Sequence, residues 1–102
     1  MWYVSIFDAR KDVSLDQIQQ EREKWLEMGK DKFFIQKCKR IERFEVIGSW
    51  PLRIIFVIET DDPRVLNLLS HHFGNLWNSV SYPVTKRSIL EALEGEHFVI
   101  GG

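Results

Sequence analysis

The segment FEVIGSWPLRIIFVIETDDP, residues 44–63, carries the most information about the fold. It predicts a strand, a tight connection around Gly48–Pro51, a second strand at Leu52–Glu59 and a helix start at Asp62–Pro63. The second of these strands is almost wholly apolar, which is typical of a strand that is buried on both faces. A domain of this size has few elements of its own to cover two faces of a sheet. We therefore expect an open sheet with helices on one face and a partner on the other.

The flanking sequence supplies the other elements in an alternating order. Strands are predicted at Trp2–Phe7, Ile41–Ile47 and Trp77–Val84, and helices from Ser14 to Gly29, from Asp62 to Gly74 and from Ser88 to Glu94. Ser14 and Gln17 form a capping-box pair at the start of the first helix. Gly29 stands where a left-handed C-terminal cap is expected.

Two stretches need separate treatment. Lys30–Arg40 has apolar residues among basic ones, so it either continues the first helix after a kink or runs extended into the next strand. Near the C-terminus, Ser88 and Glu91 repeat the capping-box pattern, and Gly95 is expected to stop that short helix. The residues His97–Ile100 then form a short apolar tail.

The order strand, helix, strand, strand, helix, strand is the split βαβ, or ferredoxin-like, arrangement. It predicts an α+β domain with a four-stranded antiparallel sheet, both main helices on one face, and a short C-terminal helix and tail. Alternate residues of the third strand point to opposite faces, with Leu52, Ile54, Phe56 and Ile58 on one and Ile55 and Val57 on the other. Because both sets are apolar, we expect a homodimer through the sheet faces; the rival explanation is that the C-terminal helix or tail covers the second face.

The composition limits the classes of protein to which this chain can belong. The 102 residues, 44% of them hydrophobic, are enough for one domain with a hydrophobic core. The net charge of -1 gives no general attraction to nucleic acid or membranes. The one cysteine, Cys38, excludes an internal disulfide, and the N-terminus lacks a signal-peptide pattern. The longest apolar run, Ile54–Ile58, is too short to span a bilayer, so we expect a cytoplasmic protein with no membrane partner.

The candidate functional residues are polar and aromatic side chains near the strand ends. We predict a pocket for a small apolar or aromatic ligand between the sheet and the second main helix, lined by Trp50, Glu59, His72 and Trp77. Arg22 lies inside the apolar stripe of the first helix, where an unpaired charge is costly. It either pairs with Glu59 or binds an anionic ligand. The tryptophans have an alternative role as core or interface residues.

The pair His71–His72 suggests a metal site only at first sight. Adjacent residues on a helix point about 100° apart, and further ligands are needed, so we predict no metal and no cofactor. His72 is expected to be a half-buried histidine bonded to backbone or carboxylate, or alternatively an acid or base in the pocket. Glu59 has the similar alternative of acting as a base.

The segment Lys30–Arg43 combines basic residues with Phe33 and Phe34, a combination that can bind nucleic acid. The central strands lack the exposed aromatic pattern of RNA-binding sheets, so we favour a solvated surface and consider nucleic acid an unlikely partner. Cys38 in this segment is interpreted as a buried structural thiol.

Several short motifs resemble a known family. They are Ser49-Trp50, the strand end Glu59-Thr60-Asp61-Asp62-Pro63, Phe73 with Trp77, and Pro83-Val84. Together they are similar to those of a family of short, mostly bacterial proteins of unknown function with the dimeric α+β barrel form of the ferredoxin-like fold. The resemblance covers about the middle 40 residues and implies the fold and the dimer, but no reaction.

Two alternative functions stay open. More distant relatives with this fold include cofactor-independent monooxygenases, so the resemblance allows a monooxygenase or isomerase acting on an aromatic or polyketide-like substrate. Separately, the terminal Gly101-Gly102 is typical of ubiquitin-like and sulfur-carrier proteins, whose tails must enter a narrow enzyme channel. The predicted helix directly after the first strand does not fit the β-grasp fold of those carriers.

Overall fold

The computed structural model describes residues 1–101, with side chains as far as residue 95. Within that range the chain forms four strands and four helices in alternating groups. They are β1 (Trp2–Ala9), α1 (Leu15–Glu27), α2 (Lys30–Lys37), β2 (Arg40–Glu45), β3 (Arg53–Glu59), α3 (Arg64–Phe73), β4 (Trp77–Val84) and α4 (Ile89–Gly101).

The strands form one antiparallel sheet in the order β2-β3-β1-β4. The two strands that adjoin β1 are distant in sequence, and a helical crossover precedes each return to the sheet. This is the ferredoxin-like topology, and it confirms the predicted α+β fold class. The edge strands are β2, which carries Arg40, Glu42, Arg43 and Glu45, and β4, which contains Pro83.

Local sequence accounts for the helix at the start of the chain. The Ser14 side chain accepts a hydrogen bond from the Gln17 amide, and the Gln17 side chain accepts one from the Ser14 amide, which confirms the capping box. After α1, Gly29 takes a left-handed conformation with φ of 70°. That glycine turns the chain into α2, so Lys30–Lys37 continues as a second helix instead of an extended lead-in.

The predicted start of α3 is also confirmed. The Asp62 carboxylate accepts a hydrogen bond of 3.1 Å from the Arg64 amide, and Pro63 directly precedes the helix. Thr60 is fully buried beneath this turn, and its hydroxyl donates to the carbonyl of Lys37 at 2.7 Å. Gly74 follows the last residue of α3, as expected.

The C-terminal helix is longer than the sequence predicts. Ser88 accepts from the Glu91 amide at 3.1 Å, which confirms the start, but α4 runs through Gly95 and through residues 97–100 to Gly101. The predicted stop at Gly95 and the predicted tail are therefore wrong. A glycine within a helix costs about 1 kcal/mol relative to alanine, and this cost alone does not end a helix. Gly102 lies outside the described residues.

The core lies between the sheet and helices α1 to α3. Its central buried residues are Phe7, Ile18, Trp25, Phe34, Ile54, Ile58, Val65, Leu69 and Trp77. On β1 and β3 these residues occupy alternate positions, so the intervening ones point to the opposite side of the sheet.

We call that opposite side the open face. Its apolar residues are Trp2, Val4, Ile6, Phe44, Ile55, Val57, Val80, Tyr82 and Val84, and the same side also carries the charged residues Asp8, Arg40, Glu42, Arg53 and Glu59. The strand register aligns Phe44, Ile55, Ile6 and Val80 in one row across the whole sheet, and Tyr82, for example, is 54% exposed. In the described part of the chain α4 does not pack on the sheet, and its residues Ile89, Leu90 and Leu93 are exposed. The described side chains of α4 therefore do not cover the open face, whereas the predicted tail, His97–Ile100, lies outside the residues whose side chains are described.

Candidate functional site

A cavity of about 390 Å³ lies between the helix-facing side of the sheet and helices α1 to α3. Its walls are mainly apolar and come from all four strands and from helices α1 to α3. The aromatic residues that line it are Phe7, Trp25, Phe34, Phe56, Phe73 and Trp77. Its volume falls in the range of small-molecule pockets, about 300–1,000 Å³, and the apolar lining is typical of them.

These rings lie together because alternate residues of each strand, and the residues on one side of each helix, face the cavity. Phe7 and Phe56 lie on neighbouring strands and pack edge to face, with ring centroids 5.6 Å apart. Trp25 of α1 contacts Phe34 of α2 in the same way at 5.9 Å. Edge-to-face packing fixes ring orientations, so the cavity has a defined shape before any ligand enters.

Four charged residues line the same cavity: Arg22, Asp31, Arg43 and Glu45. The two carboxylates are already engaged. Asp31 accepts a hydrogen bond of 3.0 Å from the Trp25 indole, and Glu45 accepts one of 2.9 Å from the guanidinium of Arg43.

Arg22 differs from its charged neighbours. Its Nη1 donates to the Gln19 side chain at 2.8 Å, but its Nη2 is buried and has no hydrogen-bond partner among the described residues. Burial and repulsion from Arg43 lower the pKa of Arg22, and attraction to Glu45 partly offsets them. An arginine stays protonated at neutral pH, so the cavity contains a positive charge that is incompletely solvated.

The structure brings together two of the predicted site residues. Trp77 and Arg22 both line the cavity. Trp50 lies in the connection between β2 and β3 and is 69% exposed. Glu59 alternates with the fully buried Ile58 and pairs in register with Trp2, so it lies on the side of the open face. The predicted ion pair between Glu59 and Arg22 is therefore wrong, because the sheet separates them.

His72 lies behind the wall of the cavity, against Trp25 at a ring-centroid distance of 5.3 Å. Its Nε2 donates to the carbonyl of Glu21 at 2.9 Å, and its Nδ1 accepts from Lys30 Nζ at 2.8 Å. The histidine thus ties α3 to both α1 and α2, and it agrees with the interpretation of a histidine bonded to nearby backbone. Across residues 1–95, no group of three His, Cys, Asp or Glu side chains is close enough to hold a metal ion.

The sequence pattern did not predict that Asp31, Arg43 and Glu45 line the cavity. The alternation of side chains along the edge strand β2 could have identified two of them. Arg43 and Glu45 point to the same side of the sheet as Ile41, which packs against the core. Charged residues on the core-facing side of an edge strand indicate that the cavity opens to solvent at that edge. Cys38, interpreted as structural, is partly buried, and burial raises the pKa of its thiol although a hydrogen bond with Thr60 opposes the shift.

Comparisons with known proteins add little to this description. A scan against models of protein families gives no match, and a search of curated protein sequences gives none. One solved structure, a dimeric ferredoxin-like protein from an uncultured marine organism, is 13% identical with a TM-score of 0.47, over 85% of this chain and 96% of that one. At that level it carries no argument about function or assembly, and the family resemblance of the motifs stays a prediction. None of the helices in the described residues is both long and apolar enough to cross a membrane.

Proposed function

We propose that this protein binds a small, mainly aromatic or apolar molecule in the cavity between the sheet and helices α1 to α3. The observation that supports this most strongly is the cavity of about 390 Å³, which is lined mainly by apolar side chains, six of them aromatic, beside a small group of charged ones. Arg22 and Trp77 are the predicted ligand-binding residues that line it. Its mouth is formed by the exposed lining residues Leu26, Arg43 and Glu45, at the edge strand β2.

A neutral fluorescent probe tests this proposal. N-phenyl-1-naphthylamine is apolar, fits the volume and becomes fluorescent in apolar surroundings. We expect saturable binding to the purified protein. Leu26→Glu places a charge at the mouth and should weaken binding at least tenfold, because the apolar probe then passes and contacts a carboxylate.

Leu15→Glu is the matched control. Leu15 lies on the same helix, is 57% exposed compared with 62% for Leu26, and does not line the cavity. The variant should bind the probe like the wild type. No saturable binding, or equal weakening in both variants, contradicts the proposal.

We also propose that the protein is a homodimer in which the open faces of two copies pack together. Strands about 4.8 Å apart and about six residues long give this face a projected area of about 400 Å². Projecting side chains raise its accessible surface towards the roughly 600–1,000 Å² that each partner buries in a stable interface. A second copy is the favoured occupant because it presents the same apolar rows with the same area, and isologous contacts of this kind are the commonest in dimers.

The oligomeric state tests the dimer directly. Val80→Lys puts a charge on an exposed position of the open face, so we expect sedimentation equilibrium to change from a dimer to a monomer mass. Ile47→Lys is the control, because Ile47 is 98% exposed in the β2–β3 connection. A monomeric wild type, or a dimer that survives Val80→Lys, refutes the proposal.

A further inference from the structure

We propose that the ligand of the cavity is a monoanion, an aromatic carboxylate whose carboxylate group pairs with the guanidinium of Arg22. This inference rests on the proposed binding function and specifies the chemical class of the ligand. It starts from the Nη2 of Arg22, which is the one buried side-chain nitrogen or oxygen among the described residues that has no hydrogen-bond partner.

The neighbours of Arg22 do not supply the missing partner. Glu45 accepts its hydrogen bond from Arg43, and Asp31 accepts from the Trp25 indole. Gln19 is neutral and engages only Nη1. A buried donor without an acceptor costs free energy in the empty protein, and an acceptor on the ligand would recover it.

The geometry of the donor favours a carboxylate. A guanidinium presents parallel N–H groups in a plane, and a carboxylate matches them with two oxygens. The formal charges of Arg22, Arg43, Glu45 and Asp31 cancel. Because the cavity has no excess of positive charge, it is suited to one negative charge more than to a dianion such as a phosphate monoester.

The side chains of the cavity wall indicate that the rest of the ligand is a flat aromatic group. The rings of Trp25 and Phe73 lie 5.5 Å apart and both line the cavity, as does Arg22 on the same helix as Trp25. A flat aromatic ring can pack against these side chains while its carboxylate reaches Arg22. Apolar contact and a charge-assisted hydrogen bond would then act on opposite ends of one molecule.

Competition with the neutral probe tests this class. N-phenyl-1-naphthylamine is bound first, and 2-naphthoate or 2-naphthamide is then added; the two competitors share their rings and differ in charge. We expect 2-naphthoate to displace the probe at concentrations about 10- to 100-fold lower than 2-naphthamide, the range of a hydrogen bond to a charged group.

The variant Arg22→Met assigns the preference to this residue. It keeps an unbranched apolar side chain and removes the charge, so the two competitors should displace the probe at equal concentrations, once each is corrected for the affinity of this variant for the probe. Arg22→Lys should retain part of the preference, since it keeps the charge without the planar fork. Arg64→Met, at an exposed position outside the cavity, should keep the full preference.

The outcomes separate the inference from the function on which it rests. Equal displacement by both competitors in the wild type overturns the carboxylate and leaves the binding function standing. A preference that survives Arg22→Met overturns the role of Arg22. Displacement by neither competitor overturns the inference, and failure of the probe itself to bind overturns the proposed function together with it.

Discussion

Arg22→Met should stabilise the empty protein, although it removes a charged side chain from a helix. Arg22 Nη2 is buried without a partner in the described part of the chain, and a donor in that state costs about 1–3 kcal/mol. Methionine keeps most of the alkyl chain and has no donor. The substitution also removes the hydrogen bond of Arg22 to Gln19 on the helix surface, which contributes about 0.5 kcal/mol. The difference is about 0.5–2.5 kcal/mol, and we expect a net gain of about 1 kcal/mol because the Arg22 side chain as a whole is only partly buried.

Urea denaturation at fixed protein concentration measures this gain. The free energy of unfolding should rise by about 1 kcal/mol with an unchanged denaturant slope, since the exposed area on unfolding is nearly the same. In a domain of this size the melting temperature should rise by about 4–8 °C. Keeping the concentration constant matters because a dimer makes the apparent stability depend on it.

Two variants identify the source of the change. Gln19→Ala removes only the surface hydrogen bond and should lower stability by about 0.5 kcal/mol. Arg22→Lys keeps a charge in the same place and should gain less than Arg22→Met. A loss of stability in Arg22→Met would refute the reasoning, because it would mean that the guanidinium is satisfied in the empty protein.

Three further predictions follow from local contacts. Ser81→Ala should lower the free energy of unfolding by about 1–3 kcal/mol, because the buried Ser5 hydroxyl, which lies 2.7 Å from that of Ser81, loses this partner. The double variant Ser5→Ala with Ser81→Ala should recover most of the loss in the same urea assay. Gly29→Ala should lower the melting temperature by an amount that corresponds to about 1 kcal/mol, since its φ of 70° strains a Cβ, while Gly95→Ala within α4 should not lower it; equal effects would refute the left-handed turn. Because the pKa of Cys38 is raised, its thiol is protonated at pH 7, so iodoacetamide should modify it more slowly than it modifies the unfolded chain, and faster as the pH rises; a rate equal to that of the unfolded chain would contradict this.

Local signals predicted most of the fold because they act within a few residues. The capping box at Ser14, the left-handed Gly29 and the aspartate before Pro63 each satisfy backbone groups next to them, so their effects can be seen in the sequence. The stop predicted at Gly95 failed for the opposite reason. A glycine signals an end only when the chain must turn there, and nothing in the neighbouring sequence states whether it must.

The candidate site was less predictable because it depends on contacts between distant segments. Trp77 and Arg22 were identified from their residue types, and both line the cavity. Glu59 and Trp50 were grouped with them because both are near strand ends, but proximity to an end does not state which face a side chain takes. Neighbouring side chains of a strand point to opposite sides of the sheet, so Glu59 points away from the cavity if Ile58 points into the core. The structure shows that Ile58 is buried there, which the sequence does not. The monooxygenase and carrier alternatives stay predictions.

The edges of the sheet limit how far this protein can associate with itself. β4 contains Pro83, which lacks an amide hydrogen, and β2 carries alternating charges, so neither edge is a good template for another strand. Edge-to-edge pairing of copies into a fibre is therefore disfavoured. If two copies pair through their open faces about a two-fold axis, each apolar face is buried against one neighbour. No open face then remains for a third copy. High local concentration, as during synthesis on clustered ribosomes, should then yield more pairs and not larger aggregates.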